Sequence, residues 1–165
     1  MSQTKHNAVT HIIVRDAVES DLDGILDLYT YLHEYDAPLP SQVELSKLWT
    51  SILTNSLLRY FVAECEGQLV SSCNLTIIPN LTHGAKPFGF IENVITRPEY
   101  RRNGYAQSVI EYALNAAWQS GCHTVMLLSN SHRREAHELY EKVGFKKGVK
   151  IGYVVKPEFP RLAGE

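Results

Sequence analysis

One stretch near the middle of the chain limits the possible folds more than any other. It covers residues 94–106, VITRPEYRRNGYA, where an apolar strand pattern gives way to a basic loop and then to a long apolar helical stripe. This helix lies between two apolar strands, Phe88–Thr96 and Thr124–Leu128. Because a helix that connects two strands of one sheet makes a right-handed crossover, we expect these strands to be parallel neighbours.

The remaining apolar patterns predict a mixed sheet with helices on both faces. Apolar residues at alternate positions indicate strands, and apolar residues repeating every three to four positions indicate helices. A hairpin in the first half adds antiparallel pairs, so the expected fold class is α/β (α+β) with a mixed, mostly antiparallel central sheet. Besides the crossover, the expected elements are strands at 12–15, 60–65, 68–78 and 149–155 and helices from about residues 20, 41 and 134.

Composition limits what the chain is expected to bind. The 16 basic and 18 acidic residues leave a net charge of −2. We expect no binding to nucleic acid or to a membrane surface, because both draw on a large basic excess. No apolar run approaches the ~18 residues of a membrane span. The three cysteines form no C-x-x-C pair, so we expect a soluble, cytoplasmic protein in a reducing compartment.

The chain length suits a single domain. With 165 residues, we expect one domain over residues 11–156. Residues 1–10 are polar, without the apolar stretch of a signal peptide, and are expected to be disordered. Residues 157–165, PEFPRLAGE, are expected to form a loose tail.

The loop before the crossover helix has the features of an anion site. The first N–H groups of a helix have no partners within the helix, and the helix dipole is positive at that end. Gly104 has no side chain to block an anion, while Arg97, Arg101 and Arg102 concentrate basic charge suited to a diphosphate. A basic surface turn is the alternative. A site for ATP is less favoured, because no G-K-[ST] follows.

Two motifs resemble the GCN5-related N-acetyltransferase (GNAT) superfamily. Arg101-x-x-Gly104-x-Ala106 is similar to the family's R/Q-x-x-G-x-G/A signature, and the strand end at 94–98 is similar to the family pattern. About thirty residues later, the segment 136–145, AHELYEKVGF, resembles the family's A-x-x-L/F-Y-E-K-x-G-F. The resemblance implies the acyl-CoA N-acyltransferase fold, in which the two parallel strands splay apart, often beside a bulge in the first.

The resemblance also implies an activity. A GNAT enzyme would transfer an acetyl group from acetyl-CoA to a primary amine of a small molecule or peptide, by direct attack through a tetrahedral intermediate. A non-catalytic acyl-CoA-binding regulatory module is the alternative. The expected coenzyme-binding residues are Val94, Ile95 and Thr96 along the pantetheine arm and Arg101, Arg102, Asn103, Gly104, Tyr105, Ala106 and Gln107 around the pyrophosphate.

Two residues are candidates for the chemistry. The resemblance implies that Tyr140 protonates the departing sulfur, although a core tyrosine would fit the same apolar helix face. In the strand pattern Glu92 shares a face with Val94, and a carboxylate buried there would suit a base that takes a proton from the amine. A structural ion pair is the alternative for Glu92. Asn93 points to the opposite face in this pattern and is the weaker candidate.

Other positions are less well determined. Arg133 stands where many family members have an asparagine, so it either binds coenzyme phosphate or is only exposed. His132 and His137 are five residues apart, which does not suit a zinc-binding helix, and we expect no metal site. The last strand could join a homodimer if it is exposed. Candidates for the acceptor pocket are Tyr29, Glu34, Tyr35, Asp36 and Tyr153.

Overall fold

The computed structural model describes residues 12–32 and 37–155. The expectations for residues 1–10 and 157–165, and for the acceptor candidates Glu34, Tyr35 and Asp36, lie outside these residues. Within the described ranges, no helix is long and apolar enough to cross a membrane.

Five strands and four α-helices make up the described part of the chain. The strands are β1 (Ile13–Asp16), β2 (Leu58–Cys65), β3 (Gln68–Ile78), β4 (Phe88–Thr96) and β5 (Val125–Leu127). The helices are α1 (Leu22–Tyr29), α2 (Gln42–Leu53), α3 (Tyr105–Gln119) and α4 (Arg134–Lys142).

All five strands form one sheet in the order in which they occur in the sequence. The pairs from β1 to β4 are antiparallel, and β4 and β5 are parallel, with α3 crossing between them. This arrangement confirms the predicted mixed, mostly antiparallel sheet. It also confirms the parallel pair, which follows from placing a helix between two strands of one sheet.

Helices cover both faces of the sheet, as predicted. On one face, Ile25 of α1 and Trp49 of α2 pack with Val62 of β2 in a small apolar cluster. On the other face, the apolar stripe of α3 and Tyr140 of α4 pack against β2, β3 and β4 in the larger cluster. The two clusters lie on opposite faces of the sheet, and β2 and β3 contribute residues to both.

The predicted last strand does not form. Residues 151–155 are not part of a strand, and Tyr153 is 90% exposed. The prediction was wrong because an alternating apolar pattern forms a strand only where a neighbouring chain pairs with its backbone. Gly152 lies beside Leu128, just past β5, but no described backbone pairing joins this segment to the outer edge of β5.

Candidate functional site

A β-bulge interrupts β4 near its middle. Ser72 of β3 pairs with Ile95 and Asn74 pairs with Glu92, so one residue of β3 faces two residues of β4. Asn93, within the bulge, has a φ of 53°, a left-handed conformation that asparagine tolerates better than most residues. The extra residue disrupts the ladder locally and redirects the side chains that follow it.

The bulge changes the side-chain directions predicted for β4. Val94 packs on the α3 side of the sheet with Ile91, so it does not share a face with Glu92. Asn93 was predicted to point away from Glu92. Instead, its amide lies near the phenol of Tyr29 on α1. Burial raises the pKa of that phenol, and the Asn93 amide opposes the rise. Both predictions assumed strict alternation, and one inserted residue moves every later side chain to the other face.

β4 and β5 separate shortly after they meet. Their parallel pairing runs from Gly89 to Ile91 of β4, whereas β4 continues to Thr96. Among the described residues no strand pairs with this edge of β4 after Ile91. The predicted splay is therefore present, and residues 94–96 lie along the open edge. An extended ligand that carries amide groups can pair with such an edge through main-chain hydrogen bonds.

In the loop between β4 and α3, two residues have a left-handed backbone conformation. Arg102 has a φ of 64°, and Gly104, the residue before α3, has a φ of 85°. A β-carbon placed on Gly104 would meet no atom within 4 Å, so the space beside the helix start is open. The Ser108 N–H donates to the Gly104 carbonyl at 2.9 Å as the first bond of the helix. The N–H groups of residues 105–107 therefore have no partner within the helix and are suited to an anion.

Arg97 is not available to an anion at this helix start. Its side chain is 11% exposed and forms an ion pair with Asp27 of α1. Its Nε also donates to the Leu69 carbonyl at 2.9 Å. The prediction that all three arginines concentrate charge at the helix start is therefore wrong for Arg97, because a carboxylate distant in sequence neutralises it.

Arg101 and Arg102 remain at the loop surface. Arg101 is exposed, and its Nε donates to the Thr96 carbonyl at 3.4 Å. Arg102 pairs with Glu135 of α4 at 3.0 Å, but both side chains are highly exposed. Exposed pairs of this kind contribute little to stability, so Arg102 can exchange Glu135 for a stronger anion at small cost.

Three other side chains of the predicted coenzyme site already have partners. Tyr105 is 3% exposed, and a hydrogen bond with Cys65 together with burial raises the pKa of its phenol to about 12. The Asn103 amide donates to two carbonyls of its own loop, at 3.3 and 3.2 Å. Gln107 donates to Glu111 at 2.8 Å. These side chains hold the loop and the helix in place. The backbone N–H groups at the start of the helix are therefore the groups that can bind a ligand. Ala106 presents only a methyl group.

Tyr140 lies on the inner face of α4. Its side chain is 9% exposed, and its ring meets that of Phe145 edge to face, with 6.2 Å between centroids. Burial raises the pKa of its phenol, and the nearby charge of Arg133 opposes that rise without cancelling it. A raised pKa keeps the phenol protonated at neutral pH, as a general acid requires. Arg133 is half-buried at the start of α4, beside this phenol.

Glu92 is exposed, contrary to the prediction of a buried carboxylate. β5 pairs with β4 only as far as Ile91, so the edge of β4 beside Glu92 is open as well. Glu92 forms no ion pair among the described residues either, so the alternative structural role is not seen there. The carboxylate is positioned at the solvent boundary of the bulge.

Sequence reasoning missed two polar residues near the bulge. The side-chain oxygens of Ser72 and Asn74 on β3 are shielded from solvent; that of Ser72 lies near the Tyr29 phenol, and that of Asn74 has no hydrogen-bond partner in the described chain. A usable signal was present, because two polar residues stand at alternate positions within a long, otherwise mostly apolar strand. Buried polar groups are normally hydrogen-bonded, so unpaired ones mark a position where a ligand or water belongs.

The other candidates contribute less. Tyr153 is 90% exposed and lies in the segment after α4. In the described ranges, no three His, Cys, Asp or Glu side chains gather in a way that could hold a metal ion.

Comparison with known families assigns the sequence that builds this site. The model of the Acetyltransferase (GNAT) family matches residues 24–145, which include both motifs and the whole site. The chain belongs to the GNAT family. The GNAT resemblance of the sequence is thereby confirmed, and the protein is an acyltransferase of the GNAT N-acetyltransferase type.

Individual GNAT relatives support the same assignment. The glucosamine 6-phosphate N-acetyltransferase of Trypanosoma brucei brucei is 31% identical over 139 residues, which cover 84% of this chain and 91% of the relative. The structure of a proposed acetyltransferase from Agrobacterium tumefaciens str. C58 is 37% identical, with a TM-score of 0.81 over 87% of this chain and 99% of that one. The structure of a predicted acetyltransferase from Clostridium acetobutylicum, determined with acetyl-CoA, shares the fold at 21% identity, with a TM-score of 0.70 over 88% of this chain and 96% of that one.

Proposed function

We propose that this GNAT protein transfers an acetyl group from acetyl-CoA to the primary amine of a small molecule. The observation that carries the proposal is the open edge of β4, which begins beside the bulge and leads to the basic start of α3. An extended pantetheine arm fits the edge, and a diphosphate fits the helix start. Acetyl-CoA combines these two chemical features in one molecule.

The coenzyme would be held mainly by backbone groups. The N–H groups of residues 105–107 and the open space at Gly104 suit the pyrophosphate, while Arg101 and Arg102 add positive charge. Residues 94–96 would pair with the pantetheine arm, and acetyl-CoA supplies an activated thioester. A backbone N–H near Ile95 is the candidate for stabilising the developing oxyanion.

Tyr140 is the proposed general acid. Like any tyrosine with a pKa of about 10 or above, it carries its proton at neutral pH, and burial raises the pKa of its phenol further. Transfer of that proton to the departing thiolate of coenzyme A would complete the reaction. Arg133 lies close enough to stabilise negative charge as the phenol gives up its proton.

Glu92 is the proposed first proton acceptor from the amine. The amine must lose a proton in order to attack, and Glu92 is the carboxylate beside the bulge. Because Glu92 is exposed, the proton would reach it through water and then leave to solvent, which does not require a buried base.

Glucosamine 6-phosphate is the first acceptor to test. The Trypanosoma brucei brucei relative, which aligns over most of both chains, is named as an N-acetyltransferase of this compound. Release of free thiol from acetyl-CoA should be measured with glucosamine 6-phosphate, aminoglycosides, free amino acids and a lysine peptide, with mass spectrometry of the products. We expect N-acetylation of at least one small-molecule amine. Turnover of the peptide alone, or of no amine by protein that binds acetyl-CoA, would contradict the proposal.

We also propose that residues 149–155 pair with a second copy of the chain. The segment is exposed, and apolar residues stand at its alternate positions. The outer edge of β5 is not covered by any described strand. Backbone pairing between copies would satisfy both features. Light scattering should give the mass of a dimer for the unchanged protein and that of a monomer for Val154→Lys. A monomeric unchanged protein would contradict this proposal without affecting the proposed reaction.

A further inference from the structure

Two linked hydroxyl groups support the end of β4 from inside the protein. The Ser71 Oγ on β3 donates to the Ile95 carbonyl at 2.7 Å and lies 2.8 Å from the Thr96 Oγ1. A hydroxyl has one proton to donate, so the Thr96 hydroxyl is the donor to Ser71. Ser71 is 0% and Thr96 8% exposed. We call Ser71 and Thr96 the hydroxyl pair; because it is buried, water does not compete for its bonds.

The register of β3 and β4 shows which way the backbone of Thr96 faces. The Arg97 N–H donates to the Val70 carbonyl at 2.9 Å, so Arg97 faces β3. Residues of an antiparallel ladder alternate between facing the partner strand and facing away from it. Thr96 therefore directs its N–H and carbonyl away from β3, and its carbonyl accepts from the Arg101 Nε at 3.4 Å instead. These groups face the edge of β4 that no described strand covers.

The hydroxyl pair fixes the direction of the Thr96 N–H. The Ile95 carbonyl and the Thr96 N–H belong to one trans peptide group, so they point in opposite directions. Holding the carbonyl on the Ser71 hydroxyl therefore aims the N–H at the open edge. The bulge around Asn93 disrupts the ladder just before this peptide, so backbone pairing holds it less firmly than it holds a regular strand.

Packing alone does not require hydroxyl groups at these two positions. Valine has nearly the shape of threonine, and alanine lacks only the oxygen of serine. Replacing both partners of a buried hydrogen bond by apolar groups of similar shape is close to neutral for stability. What an apolar pair could not do is hold the Ile95 carbonyl, and with it the direction of the Thr96 N–H.

We propose that Ser71 and Thr96 are positioning residues for the coenzyme. Their linked hydroxyls hold the peptide between Ile95 and Thr96 so that the Thr96 N–H donates to an amide carbonyl of the pantetheine arm. This inference rests on the proposed function, which places that arm along residues 94–96. It assigns to the hydroxyl pair an effect on the arm and none on the pyrophosphate, which the start of α3 binds.

Two ligands separate the arm from the diphosphate. Acetyl-CoA carries both, whereas ADP carries the diphosphate without the arm. Binding of acetyl-CoA to the full chain is measured by calorimetric titration, and binding of ADP by competition with acetyl-CoA. We expect Thr96→Val to weaken acetyl-CoA binding several-fold, because the Ser71 hydroxyl loses the donor that orients it, and to leave ADP binding unchanged. Thr96→Ser keeps the hydroxyl and should bind both ligands as the unchanged protein does.

A double variant separates positioning from a structural role. Ser71→Ala combined with Thr96→Val leaves no unpaired hydroxyl, so its melting temperature should stay near that of the unchanged protein. Its affinity for acetyl-CoA should fall about tenfold, the effect of roughly one lost hydrogen bond to the arm. Ser120→Ala is the control, because it removes a bond of the same kind, from the Ser120 Oγ to the Ala116 carbonyl at 2.8 Å, at the far end of α3. It should keep both affinities.

Two results would overturn the inference. One is an equal loss of affinity for acetyl-CoA and ADP in the double variant, which would show damage to the whole coenzyme loop. The other is an acetyl-CoA affinity that the double variant leaves unchanged. If the double variant does not fold, the contrast between Thr96→Val and Thr96→Ser decides in the same way, since both keep Ser71 and differ in the hydroxyl at one position.

The outcomes also distinguish the inference from the function on which it rests, because binding is measured without turnover. Selective loss of acetyl-CoA affinity in a protein that acetylates no amine would support the hydroxyl pair and contradict the proposed transfer reaction. Full acetyl-CoA affinity in the double variant of a protein that does acetylate an amine would contradict the hydroxyl pair alone. An unchanged protein that binds acetyl-CoA no more tightly than ADP would contradict both.

Discussion

Asn74 on β3 and Glu92 on β4 lie directly opposite each other, at the edge of the bulge in β4. Asn74 is 4% exposed, whereas Glu92 reaches solvent. The pair therefore marks the boundary between the shielded interior of the site and bulk water. A proton that leaves an amine at this boundary has a carboxylate beside it, and this arrangement leads to the first prediction.

Glu92→Gln should lower kcat/KM for the amine about a hundredfold near neutral pH, because a positioned proton acceptor contributes about 10²-fold or more. The loss should shrink as pH rises and more of the amine is already neutral. Steady-state kinetics between pH 6 and 9.5 test this, with the exposed Glu99→Gln as control. A loss that is constant across the pH range would contradict the role as proton acceptor.

Tyr140→Phe should lower kcat about a hundredfold or more, since it removes the proposed acid, while the dissociation constant for acetyl-CoA stays unchanged. Calorimetric titration and single-turnover kinetics separate the two effects. Tyr112→Phe controls for loss of a tyrosine hydroxyl elsewhere in the α3 side of the domain. Unchanged kcat in Tyr140→Phe would assign this residue to the core alone.

The pH profile of the unchanged enzyme should show no alkaline decline from Tyr140 below about pH 10, the ordinary value for tyrosine. Burial raises the pKa of Tyr140, so the protonated and active form persists to higher pH. The profile of kcat should therefore match that of Tyr140→Phe in shape up to pH 9.5. A decline near pH 8 that Tyr140→Phe abolishes would show a lowered pKa and contradict this prediction.

Gly104→Ala should weaken acetyl-CoA binding at least about tenfold, because the new methyl group enters the space open to the anion. It should also cost about 1–2 kcal/mol of stability through left-handed strain. Gly121→Ala at the end of α3 is a close control, since Gly121 also has a positive φ, of 77°, and open space for a β-carbon. Equal effects of both substitutions on acetyl-CoA affinity would place the coenzyme elsewhere.

Asp21→Asn should lower the free energy of unfolding at pH 7 by about 1–3 kcal/mol. Burial opposes ionisation of Asp21, but hydrogen bonds from Arg15 at 2.6 and 3.0 Å and from the Val18 N–H at 2.8 Å outweigh it and lower its pKa. This contribution to stability is complete above the unfolded pKa of about 3.9 and is lost as pH falls through the lower folded value.

Denaturant unfolding from pH 2 to 7 tests the role of Asp21. The difference between the unchanged protein and Asp21→Asn should narrow below about pH 4. The exposed Asp23→Asn on α1 is the control and should have little effect at any pH. A difference that stays constant down to pH 2 would show that charge on Asp21 is not the cause.

The sequence by itself determined the elements whose chemistry is local. The apolar stripe of α3, the glycine before it and the strands on each side predict the crossover and the anion-binding helix start without any distant contact. The motifs around Gly104 and Tyr140 identify the family for the same reason, since each is a short run of residues within one loop or helix. The α/β fold and the GNAT assignment were therefore predictable from residues close together in the chain.

The tertiary structure alone decided how the side chains of the site are arranged. The family resemblance implies a bulge in β4, but nothing local gives its position at Asn93, where it moves Val94 to the α3 side and brings Asn93 towards Tyr29. Arg97 binds Asp27, which lies seventy positions away, and so leaves the anion site. Residues 149–155 have a strand pattern, and Gly152 lies beside Leu128, but no described strand pairs with their backbone. Each outcome depends on which distant backbone or charge lies alongside, and that is a property of the folded chain.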